Sequence, residues 1–511
     1  MLRSVRTVTL LGVAVQFAAF ARTAIIAASL GASLDVDAYN IGLIAPTFVS
    51  TVIGSWVQVS FVGRYTSLVT LGDERLAAAY RTRMLAIVLT LAAIFASLCF
   101  LLPQTILALF MPGIAPGLLA TSVDALQVAG WTMLPIILAD FIGLILNCHG
   151  RFLAAAMAPL FNALVSVAAL LLWPTSGLSS LVWTLLLGSV AQLLVVSAAL
   201  LQLKLRYPID TRAAKGEVRR TLVLALPLLP AVMLSNAMAP MIQFRAAELG
   251  EGAVAVFGYA MRLHWALMQV LVMGLGTVLL PHFAALVSRN EKDEIVSLLR
   301  RLARVGMLVT LCLSAVIILM GNAIVDTLLG RGAFDSALGI QVAQIWAVLS
   351  LSLFPFAFGT FIAKLGQAMR QVSIILATSV ASFLATLIMT KVGGFAHDLV
   401  VICIAPTAAV TAATCIWLIW LNRKFYARPV LADIAAAALR SIVVLVIPVF
   451  LDIGLRPLLG DLPGMIALGL RGIAFVAVVG ALLWGLGWQR WFLAAQFARS
   501  ERLPATASAA E

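Results

Sequence analysis

Residues 84–110, MLAIVLTLAAIFASLCFLLPQTILALF, hold no Asp, Glu, Lys, Arg or His. At 1.5 Å of rise per residue, a helical run of this length more than crosses roughly 30 Å of hydrocarbon. A helix also satisfies its own backbone polar groups there. Arg81 and Arg83 stand just before the run, where a span would meet a charged surface. Similar runs recur near residues 5–30, 36–62, 121–147, 152–174, 179–203, 221–248, 253–287, 304–329, 338–362, 371–391, 398–421, 436–455 and 464–487. The reading is an all-α integral membrane protein of about fourteen spans. Composition agrees: 63% of residues are hydrophobic and 11% charged, with a mean hydropathy of +1.09. Soluble domains run near 45–50% and 25%. An outer-membrane barrel is excluded, because its strands would read as short alternating segments.

The net charge of +13 and pI of 10.1 raise the question of nucleic acid, which the distribution of charge answers. Most of the 34 Lys and Arg fall at the N-terminus and in loops after even-numbered spans, among them Arg3, Arg6, Arg64, Arg75, Arg151, Lys215, Arg289, Arg370, Arg423 and Arg499. Loops after odd-numbered spans hold only Arg331, Lys391 and Arg456. This alternation is an orientation signal that places both termini in the cytoplasm. The first apolar run is too long for a signal peptide and contains Arg22, so it reads as a retained span. The five cysteines show neither metal-ligand spacing nor a disulfide framework.

A weak repeat at an offset of about 220 residues sets Tyr39 and Gly54 opposite Tyr259 and Gly274. It predicts an N-lobe over 1–220 and a C-lobe over 221–430, with six spans each. Two further spans over 431–490 and a cytoplasmic tail over 491–511 complete the expected organisation.

Ionisable groups at membrane depth cost roughly 2.5–3.5 kcal/mol on insertion scales and so point to function. In span 2, Asp37, Asn40, Thr47, Thr51, Ser55 and Gln58 form a polar stripe about 80° wide at 100° per residue. A stripe that long most simply lines water, although single Ser and Thr residues also bond to their own helix. Span 8 carries Tyr259, Arg262 and Gln269 on one face, and span 1 carries Arg22 with Gln16 and Thr23 nearby. Two arginines can converge on one anion, since the guanidinium fork matches phosphate oxygens. The competing reading is an ion pair between Arg22 and Asp37. Asp140 and Lys364 are further cavity candidates, with snorkelling as the alternative for Lys364. Arg245, Glu248, Arg440 and Arg471 read as interface anchors, and Trp488 and Trp491 as an interface belt.

Four scattered His, no acid or metal constellation and no phosphate-binding Gly-Lys loop point to a secondary transporter rather than an enzyme, with no cofactor. Four groups of residues carry a resemblance to known proteins: Phe20-Ala21-Arg22 with Gly31-Ala32 and Asp37-Ala38, and Ile145-Leu146-Asn147 with Arg151-Phe152 and Ala158-Pro159. The others are Tyr259-Ala260 with Arg262-Leu263, and Gly274 with Gly276-Thr277-Val278-Leu279-Leu280-Pro281. In their order and spacing the chain resembles the MurJ/MviN family of lipid II flippases, in the wider group of multidrug and lipid-linked oligosaccharide exporters. The sequence departs from the family pattern at Gln16, Ser50 and Thr51, where that pattern has arginines, and at Trp265, where it has an acid.

The resemblance implies translocation of an undecaprenyl-diphosphate-linked cell-wall precursor across the bacterial cytoplasmic membrane. Another lipid-linked glycan and multidrug or cation antiport are the alternatives. It implies that Arg22 and Arg262 hold the diphosphate, that Asp37 lies near an outer gate, and that spans 13 and 14 form a groove for the polyprenyl tail. Asn40, Gln16, Thr51, Gln58, Tyr259, Gln269 and Lys364 complete the expected substrate-binding set. The expected partners are the lipid-linked oligosaccharide diphosphate, the phospholipid bilayer and cell-wall synthesis machinery, with no nucleic acid and a monomeric carrier.

Overall fold

The computed structural model describes residues 2–173, 177–369, 371–391, 398–425, 428–459 and 464–493. Arg370, His397 and the tail expected beyond residue 493 lie outside the described residues. All regular structure among them is helical. The chain opens with α1 (Leu2–Leu30), α2 (Leu34–Thr70), α3 (Glu74–Leu101), α4 (Pro103–Phe110), α5 (Pro116–Cys148), α6 (Phe152–Leu172) and α7 (Leu178–Leu201). It continues through α8 (Lys215–Ala225), α9 (Leu229–Ala247), α10 (Ala253–Ser288), α11 (Lys292–Leu329), α12 (Ser336–Ser350), α13 (Leu353–Ala368), α14 (Val372–Lys391), α15 (Leu399–Ile402) and α16 (Ile404–Phe425). It ends with α17 (Arg428–Leu458), α18 (Gly464–Gly485) and α19 (Trp488–Leu493).

Twelve of these segments are long and apolar enough to cross a membrane, and the pair α12–α13, bent by 43°, makes a thirteenth. The bend falls at Leu351–Ser352. The span expected over 221–248 is not continuous. It resolves into α8, a single 3-10 turn at Leu226–Leu228 and α9, because Pro227 lacks the N–H that would continue the ladder. With Asn236, Gln243 and Arg245, α9 is also less apolar than the other spans. Helix starts follow local chemistry: Asp73 Oδ1 accepts from Leu76 N at 3.0 Å and Asp335 Oδ1 from Leu338 N at 2.8 Å, while Pro103 and Pro116 open α4 and α5.

Two sets of helices pack within themselves. In the first, α5 runs against α2, α3 and α7, and α6 against α1 and α7. In the second, α10 runs against α12 and α13, and α14 against α9 and α16. Between the sets, α8 docks on the end of the first that carries the basic loops. There Arg64 pairs with Glu217 at 2.8 Å and Tyr80 donates to Thr221 at 3.2 Å. Helices α17 and α18 lie against α11, and α18 turns Ile473, Val476 and Trp484 outward, as a lipid-facing helix does.

Arg471 is not an interface anchor. Its Nε and Nη2 donate to both oxygens of Asp452, at 2.7 and 2.8 Å, and Asp452 is 2% exposed. Arg456 joins the same carboxylate at 3.3 Å and donates to Leu319 O of α11 at 2.7 Å. Arg440, expected as an anchor, stacks on Trp491, 3.9 Å from the ring centroid, with Trp488 beside it. Arg245 is held by Thr390 O and Glu248.

Candidate functional site

The hydrogen bonds joining the two helix sets gather at the end remote from the basic loops. Asp37 of α2, fully buried, accepts from Gly252 N at 2.6 Å and Ala255 N at 2.7 Å. Its carboxylate thereby caps the N-terminus of α10 from another helix, where free N–H groups and the helix dipole favour an anion. Leu34 N donates to Glu251 Oε1 at 3.1 Å, Tyr259 Oη to Gly31 O at 2.6 Å and Ala333 N to Ala28 O at 2.8 Å. The backbones approach so closely that a Cβ on Gly332, whose φ is +62°, would lie 2.1 Å from Ala28 O. Only glycine fits such a position. At the basic end, no hydrogen bond joins the sets among the described residues.

Below this closure lie two adjoining cavities of about 680 and 630 Å³ that share Arg22, Leu43, Thr47, Thr51, Pro159, Leu185 and Arg262. The polar stripe of α2 faces them. Asn40 lines the smaller, Ser55 and Gln58 the larger, and Thr47 and Thr51 both. Every member of the stripe but the first thus faces a cavity, and Asp37 is spent on the closure instead.

Arg22 is 8% exposed; its Nη2 donates to Leu181 O at 3.2 Å, its guanidinium carbon lies 5.5 Å from the Tyr39 ring centroid, and its buried Nε has no partner among the described residues. Arg262 donates through Nη1 to Thr23 Oγ1 at 2.9 Å and lies near enough to Arg22 for the two charges to repel. The alternative ion pair between Arg22 and Asp37 does not form, because both carboxylate oxygens are taken by α10. Asp140 is the one acidic side chain on either cavity wall among the described residues.

Not every expected residue reaches the cavity. Gln16 lines the smaller cavity, but Tyr259 belongs to the closure, and Gln269 and Lys364 line neither. Lys364 donates to Gln367 Oε1 at 3.4 Å. The sequence reading passed over Asn162 and Gln192, which bond to each other at 2.7 Å beside Asp140, and over Asn236 and Gln243 of α9. Isolated amides in apolar helices were the available signal, yet nothing along the chain shows which of them meet.

The family model described as "Lipid II flippase MurJ" matches residues 26–487. The chain belongs to the MurJ family. A probable lipid II flippase MurJ of Rhizobium meliloti (strain 1021) is 30% identical over 224 residues, 42% of this chain and 41% of that protein. One from Helicobacter pylori (strain ATCC 700392 / 26695) is 26% identical over 250 residues, 44% and 54% of the two chains. The aligned stretch thus spans about half or less of these curated relatives. In fold, the MurJ-family chain is similar to a solved "Lipid II flippase MurJ, inward closed conformation", with a TM-score of 0.76 at 17% identity over 93% of this chain and 99% of that one. It is also similar to an inward-facing multidrug resistance MATE transporter of the MOP superfamily, with a TM-score of 0.67 at 14% identity over 81% and 95%.

Proposed function

We propose that the protein is a flippase that carries an undecaprenyl-diphosphate-linked cell-wall precursor, lipid II, from the inner to the outer leaflet of the bacterial cytoplasmic membrane. The observation that carries this reading is the pair Arg22 and Arg262 at the junction of the two cavities, with the buried Arg22 Nε unpartnered. An unpaired buried donor on a cation is costly unless an anion completes it, and a diphosphate offers oxygens to both forks. Two arginines against Asp140 leave the described cavity wall net cationic, suited to a dianion.

With the basic loops in the cytoplasm, the closure at Asp37 is the outer one and the cavity is reached from inside. The glycan and diphosphate would exchange their hydration for the α2 stripe and the arginines, while the polyprenyl tail stays in lipid along α17 and α18. Rocking of an N-lobe (1–220) against a C-lobe (221–430) would break the Asp37 closure and expose the site to the other face. The carrier itself supplies binding and alternating access, with no bond made or broken.

The test is complementation of a bacterium depleted of its own lipid II flippase, with expression in the cytoplasmic membrane matched. The wild-type chain is expected to restore growth and cell shape. Arg22→Ala and Arg262→Ala are each expected to lower lipid II affinity by about 1.5–3 kcal/mol, on the order of tenfold to a hundredfold, and to fail to rescue. A correctly inserted wild type that does not rescue would move the substrate to another lipid-linked glycan, and rescue by both variants would remove the arginines from the site.

A further inference from the structure

We propose that Trp265 and the amides of Gln16, Asn40, Asn236 and Gln243 form a carbohydrate-binding subsite in the smaller cavity, an assignment that rests on the lipid-linked glycan reading above. Trp265 follows Arg262 by three residues on α10, so the indole and the guanidinium share one helix face. Both line the smaller cavity, and Trp265 is 47% exposed. Phe356 meets the indole at 87° with 5.7 Å between ring centroids, which fixes the plane of the ring without covering it as a stacked neighbour would.

The amides decide the class of ligand. Gln16, Asn40 and Gln243 line the same cavity and have no hydrogen-bond partner among the described residues. Asn236 donates through Nδ2 to Val232 O at 2.8 Å, which leaves its carbonyl oxygen to accept. Each free amide both donates and accepts, as do the hydroxyl and acetamido groups of a sugar. The C–H face of a pyranose ring is apolar and packs flat on an indole. An acyl chain over Trp265 would leave the surrounding amides buried without partners, which is costly. A second phosphate would find amides where it needs cations. Arg262, beside the indole, puts the diphosphate next to the first sugar, in the covalent order of a lipid-linked glycan.

The test compares full-length wild type, Trp265→Ala and Trp265→Phe in nanodiscs for binding of lipid II and of undecaprenyl diphosphate, which shares the tail and diphosphate but has no sugar. A second arm titrates the same proteins with N,N′-diacetylchitobiose and reads saturation-transfer NMR. Trp265→Ala is expected to weaken lipid II about tenfold and undecaprenyl diphosphate less than about twofold, with Trp265→Phe close to wild type. It is also expected to abolish the disaccharide signal. Equal weakening of both lipids by Trp265→Ala would overturn the subsite in favour of tail packing or general damage. Wild type that binds neither lipid would instead remove the flippase reading. The disaccharide arm then decides alone: a signal dependent on Trp265 upholds the sugar site, and no signal overturns it.

Discussion

Asp37→Ala is expected to weaken the closed end of the protein by about 3–5 kcal/mol, as two hydrogen bonds to a charged acceptor are lost and two buried N–H groups are orphaned. The carboxylate is fully buried, and its partners at 2.6 and 2.7 Å are the backbone N–H groups of Gly252 and Ala255, so no water replaces it at once. Both bonds cross between the helix sets and exist only while this end is shut. The lost energy therefore falls on the closed state and shifts the conformational balance by on the order of a hundredfold to several thousandfold. In a background with the five native cysteines replaced, Cys at the buried position Ala38 would report the shift through its labelling rate with a membrane-impermeant maleimide. Faster labelling in Asp37→Ala, partly restored in Asp37→Asn, which keeps one acceptor oxygen, is the expected pattern. Unchanged labelling would show that the glycine-lined backbone contacts hold the end shut without the carboxylate.

Asp452→Ala is expected to cost about 3–5 kcal/mol of stability, because it strands the Arg471 guanidinium, 11% exposed, without its counter-charge between α17 and α18. The effect would appear as a fall in the thermal unfolding midpoint of the detergent-solubilised protein and as faster proteolysis after α16. Removing both charges with Asp452→Leu and Arg471→Met is expected to recover most of the loss, since an apolar pair of similar volume avoids the desolvation of two ions. If the double variant were as unstable as the single one, the geometry set by the ion pair would matter more than its charge balance. The pair also ties the two last spans to Leu319 of α11, so a loosened α17–α18 unit would test whether a tail groove there needs a fixed wall.

Much of the site was legible because membrane depth makes polarity expensive. Arg22, Arg262 and the stripe from Asn40 to Gln58 stand out in apolar spans, and all of these line the cavity. The same logic failed for Asp37, Tyr259 and Arg471, where a polar group in a span meets a partner from a distant helix. Asp37, expected in the polar stripe and, from the resemblance, near an outer gate, is occupied by the N–H groups of Gly252 and Ala255, more than 200 residues away. Arg471 read as an anchor because Asp452, its partner on the preceding span, carried no weight alone. Trp265 read as a departure from a family pattern, and only the converging amides of α1, α2 and α9 give it a ligand class.

The sequence by itself determined that this chain crosses a bilayer many times, roughly where most of its spans lie, and which face of α2 is polar. Hydrophobic run length, the side on which Lys and Arg collect, and the 3.6-residue period are local properties that need no partner to be read. Only the tertiary structure decided which polar groups satisfy one another and which are left for a ligand. A hydrogen bond a few ångströms long between helices far apart in the chain is fixed by how the helices pack, and packing is a property of all of them together.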